Sequence, residues 1–136
     1  MFMNRRLVLL VLPLFIFFFS CHKSDDNNNS NTNISQGTWR VTLFTDSGND
    51  ETSDFSGYSF TFGSGDVLTA QKNTTSQAGT WNRGSDFNID LGPKSDSNKP
   101  LGELTDNWKI ISIKSSEIKL TDDNASSNEF LTFTKN

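Results

Sequence analysis

The chain has 136 residues, a formal net charge of −4, and one cysteine and one histidine in all. That length holds a single domain, and one cysteine excludes an internal disulfide. An acidic balance also disfavours nucleic acid and anionic membrane surfaces as partners, since both demand a basic patch.

Arg5 and Arg6 precede an apolar run of thirteen residues, Leu7 to Phe19, broken only by Pro13. A run of ~7–15 apolar residues suits the core of a secretory signal, whereas a spanning helix needs ~20. The small Ser20 then leads into Cys21. Phe18-Phe19-Ser20-Cys21 resembles a bacterial lipobox, with Phe18 where Leu is commoner. The resemblance implies cleavage before Cys21 and a diacylglycerol on its thiol, so that residues 1–20 are a signal peptide and Cys21 is the lipid attachment. Two or more acyl chains, palmitate among them, hold a protein firmly on a bilayer. Losing Arg5 and Arg6 leaves ten Lys and Arg against sixteen Asp and Glu, a mature net charge of −6.

Residues 21–35 form the lipidated cysteine and a tether rich in Asn, Ser and Asp. Such a stretch buries too little apolar surface to offset its ordering entropy, and its r.m.s. reach is about 20 Å. Lys23-Ser24-Asp25-Asp26 resembles the acidic export signal of Bacteroidetes lipoproteins. The expected location is the bacterial outer membrane, with the cell surface as one of its two faces.

From Gln36 onward the apolar period is two. Trp39, Val41 and Leu43 alternate with polar residues, as do Tyr58, Phe60 and Phe62, then Phe87, Ile89 and Leu91, and finally Leu131 and Phe133. Each set marks a strand with one buried face. Turn chemistry separates them at Asp46-Ser47-Gly48-Asn49, Gly63-Ser64-Gly65-Asp66, Arg83-Gly84-Ser85-Asp86, Lys114-Ser115-Ser116 and Asp122-Asp123-Asn124. Eight strands follow, near 38–45, 56–62, 66–72, 77–83, 86–91, 107–113, 116–121 and 129–135. Pro100 ahead of Leu101 and Leu104 predicts one short helical turn near 100–105, plugging an end of the sheet. The expected fold is all-β: residues 36–136 close as an eight-stranded antiparallel up-and-down barrel, with a two-sheet sandwich as the alternative.

Gly37-Thr38-Trp39 opens the first strand and Gly79-Thr80-Trp81 repeats the triplet in the fourth, while Trp108 leads a later one. The pattern resembles the small lipocalin-like lipoproteins of Bacteroidetes. That resemblance implies that Trp39 plugs the closed end of the barrel beneath a cation from the last strand. No Arg follows Arg83, so Lys135 or Arg40 is left to cover the indole. An eight-strand barrel is just wide enough to be filled by side chains or to hold one small ligand. The aromatic load favours filling.

Catalytic chemistry has little to work with. His22 lies on the tether, so no Ser-His or Cys-His pair forms in the domain, and a zinc site lacks its nitrogen and sulfur ligands. Asp46 to Glu51 lacks calcium-loop spacing and reads as an acidic loop. The expectation is therefore a lipid-anchored, non-catalytic binding protein with no metal and no cofactor beyond the acyl lipid on Cys21. A small apolar or aromatic ligand would be held by Trp81, Trp108 and Tyr58. The alternative is a protein-interaction accessory lipoprotein or protease inhibitor with a filled barrel.

Overall fold

The computed structural model describes residues 34–136; the expected signal peptide, Cys21 and the expected tether up to residue 33 lie outside the described residues. Among the described residues nine strands form one antiparallel sheet: β1 (Trp39–Asp46), β2 (Asn49–Asp50), β3 (Ser59–Phe62), β4 (Val67–Lys72), β5 (Thr75–Arg83), β6 (Asp86–Asp90), β7 (Asp106–Ile113), β8 (Glu117–Thr121) and β9 (Phe130–Lys135). Strands β3 to β9 follow each other as neighbours, and β1 joins β9 on one side and β3 on the other. Eight strands thus close an up-and-down barrel. The two-residue β2 folds back on β1 through Ser47 and Gly48, both at positive φ, the geometry a two-residue hairpin turn favours. A sandwich is not formed.

Closure rests unevenly on β1. It pairs with β9 from Trp39↔Lys135 to Thr45↔Phe130, but with β3 only at Trp39↔Phe60. The β1–β9 register shifts between Val41 and Leu43, so Thr42 is an extra residue on β1. A bulge of this kind flips the inward side of the strand beyond it. Leu43, expected inside from strict alternation, is therefore 37% exposed, and Phe44 is fully buried in its place. A second bulge between Ile110 and Ser112 likewise turns Ile111 outward.

The interior is packed with rings. Phe62 is fully buried and meets Trp39, Trp81, Phe87 and Phe133 edge-on, with centroids 5.2–6.2 Å away. Edge-to-face pairs of this kind add about 0.5–1.5 kcal/mol each beyond the area they bury. Each barrel end is stoppered. At one end Ile34 is buried two residues ahead of the expected boundary at Gln36, and its carbonyl accepts the Trp39 indole N–H at 2.9 Å. At the other end the expected helical turn is a 3-10 turn, Leu101–Leu104, whose two leucines are buried. The Trp108 indole N–H donates to the Leu104 carbonyl at 3.0 Å.

The two Gly-x-Trp triplets have different causes. Gly37 turns at φ +80, a conformation side chains rarely adopt, with the Lys135 stem lying against it. Gly79 is extended, but β6 runs so close that a Cβ there would sit 2.0 Å from the Asp90 carbonyl oxygen. Gly37 thus makes room on the closing pair of strands, and Gly79 lets β6 lie close against β5.

Truncating the central ring should be severe. Phe62→Ala is expected to lose about 3–5 kcal/mol of unfolding free energy, measured by urea denaturation. A loss under about 1 kcal/mol, within the range of a surface change, would contradict the ring's central role.

Candidate functional site

The sequence-predicted residues divide between core and surface. Trp39 is fully buried, with the Lys135 Nζ 5.4 Å from its ring centroid. Lys135 is thus the cation over the indole, while Arg40 reaches the opposite way to Asn136 Oδ1 at 3.0 Å. Trp81 is buried on β5 and donates its indole N–H to the Gly63 carbonyl at 3.0 Å. Trp108 is buried on β7, its indole N–H already held by Leu104. Tyr58 stands apart from both tryptophans. It is half-buried just before β3, tilted against Phe60, with Lys72 Nζ 4.8 Å from its ring centroid. Of the three ligand candidates, Trp81 and Trp108 are buried, while Tyr58 lines an open groove.

This lateral groove, of about 500 Å³, lies where β1 and β3 part. One wall is Arg40 and Val41 of β1, with Asn136 at its foot. The other runs from Thr52 through Phe55 to Tyr58. Beyond the single Trp39↔Phe60 bridge, a second 3-10 turn, Thr52–Phe55, substitutes for strand pairing. Thr52 Oγ1 accepts the Phe44 amide N–H at 2.9 Å, and the Glu51 amide donates to the Phe44 carbonyl at 2.9 Å. Phe55 is buried with its ring 5.1 Å from Phe44. Backbone groups that a neighbouring strand would satisfy are met by a hydroxyl and a turn, as burial requires.

Sequence reasoning missed this turn and the groove it borders. Their one visible signal was Thr52-Ser53-Asp54, residues that favour local backbone hydrogen bonds, placed before an isolated Phe55.

The barrel end opposite Trp39 carries a rim of carboxylates. Burial pushes the Glu129 carboxyl above its usual range; Lys94 opposes this, and Asp46, Asp122 and Asp106 reinforce it. Burial also raises Glu51, reinforced by Glu103 and Asp46. Lys94 pairs with Asp106, and Lys99 with Glu103 at 3.2 Å, which partly balances the rim. Among the described residues, no three His, Cys, Asp or Glu side chains converge as a metal ion would need.

The fold places the domain among closed, eight-stranded, up-and-down β-barrels. A solved structure of a DUF4847 family protein from Bacteroides vulgatus has the same fold, with a TM-score of 0.58 at 16% identity, covering 79% of this chain and 98% of that one. No protein-family model matches the chain, and no curated protein matches it.

The acidic rim gives a pH signature of known sign. A carboxyl whose pKa is raised by folding favours the folded state when protonated, so its contribution declines as pH rises from the unfolded value through the folded one. Glu129→Gln should therefore raise the melting temperature at pH 7 and leave it nearly unchanged below pH ~4, where both side chains are neutral. Thermal unfolding followed by circular dichroism at the two pH values checks this, and an equal shift at both would refute it.

Proposed function

We propose that this chain is a lipid-anchored, non-catalytic binding protein of the outer membrane, lipocalin-like in architecture, that recognises a small ligand in the lateral groove rather than inside the barrel. The observation that carries this reading is the pairing of a ring-packed interior around Phe62 with a groove of about 500 Å³ on the flank. Ligand sites commonly enclose about 300–1,000 Å³ and combine apolar walls with a few fixed polar groups. Val41, Phe55 and Tyr58 supply the apolar part, while Thr52, Ser53 and Ser56 supply hydroxyls.

The anchor reading rests on the signal-like apolar run and on Cys21 as the one cysteine of the chain. It is consistent with the described domain, because the chain enters the barrel beside Trp39, at the end remote from the acidic rim. Carboxylates held away from a bilayer avoid repulsion by anionic headgroups. The filled barrel also favours a second reading, an accessory lipoprotein or protease inhibitor whose partner is a protein.

Two measurements test these points. Cys21→Ser should abolish metabolic labelling by palmitate and release the chain from the membrane fraction; persistent labelling would refute the anchor. Ser56 is exposed and lines the groove, so Ser56→Trp should fill it without disturbing the core. Native mass spectrometry of protein from its host should show a small-molecule adduct on the wild type that this variant lacks. Retention of the adduct by Ser56→Trp would sink the groove, and a wild type free of adducts that instead co-purifies with one protein would support the second reading.

A further inference from the structure

Resting on the reading of the groove as the binding site, we infer that its ligand is an organic monoanion, an apolar or aromatic body ending in a carboxylate, with Arg40 as the anchor for the charge. The chain as a whole is acidic, yet Arg40 is the one charged side chain in the lining, and no acidic side chain lines it. No carboxylate ion-pairs with Arg40 among the described residues, although five other ion pairs are formed.

Arg40 is also held in place without being used up. Its Nη1 donates to Asn136 Oδ1 at 3.0 Å and, at 3.5 Å, to the Lys135 carbonyl. Asn136 is itself fixed, since its amide N–H reaches the Thr38 carbonyl and its Nδ2 reaches Thr38 Oγ1, both at 2.9 Å. A guanidinium has five N–H donors in a planar fork. With Nη1 engaged by neutral acceptors, the remaining edge stays available at full positive charge for a planar carboxylate.

The apolar body has its own seat. Tyr58 lines the groove, and Lys72 stands 4.8 Å from its ring centroid, bringing a second cation to that margin. Val41 and Phe55 complete the apolar wall. Arg40 in the lining and Lys72 at the margin are the cations that would receive the ligand's charge, and a planar carboxylate matches the flat fork of the guanidinium.

The test uses two probes of the same shape, 2-naphthoate and the neutral 2-naphthalenemethanol, titrated into full-length protein and followed by protein-observed NMR. The naphthoate should shift the signals of Arg40, Gly57 and Tyr58 saturably. It should bind at least about fivefold tighter than the alcohol, the scale of a partly solvated charge-assisted hydrogen bond. Arg40→Gln should erase that preference while signals of the core strands keep their wild-type positions. Equal binding of both probes in the groove would overturn the anion assignment and leave the groove reading standing. If neither probe moves the groove signals, both readings fall.

Discussion

β1 must satisfy partners on two sides at once, and most features of this domain follow from how it does so. A strand that closes a barrel carries one row of hydrogen bonds to the last strand and another to the next strand in sequence. Here β1 gives nearly its full length to β9 and meets β3 only at Trp39↔Phe60. The extra residue at Thr42 lets β1 bend along β9, and the same bend carries its far half away from β3. The gap is sealed by the Thr52–Phe55 turn, with Thr52 taking over the Phe44 amide. The groove is what remains open beside that seal.

The barrel interior is given over to packing. Phe62 and its four ring neighbours occupy the middle of the barrel, and the indoles of Trp39, Trp81 and Trp108 all have backbone acceptors. Satisfied N–H groups and edge-on rings make a rigid filling that specifies one packing. A small domain without disulfides depends on such a core. On the flank, by contrast, Arg40 and Tyr58 line an open groove.

Charge is distributed along the barrel axis in a way composition does not reveal. The loops opposite Trp39 gather Glu51, Glu103, Asp106 and Glu129, whereas the groove lining holds Arg40 and no acid. A net charge is a sum over the whole chain, so an acidic total does not show where its cations lie.

By itself the sequence determined the all-β class, the eight barrel strands, most of the turns between them and the helical turn before β7. These depend on local signals: a period of two, glycine and asparagine at turns, and proline ahead of a leucine pair. The resemblance to lipocalin-like lipoproteins left Lys135 or Arg40 to cover Trp39, and the structure puts Lys135 there. Only the tertiary structure decided that Leu43 faces outward and Phe44 inward, that Ile34 joins the core, and that Trp81 and Trp108 lie buried while Tyr58 borders a groove. Each of these depends on register between strands far apart in sequence. One bulged residue reverses the faces beyond it, and no local pattern records where it falls.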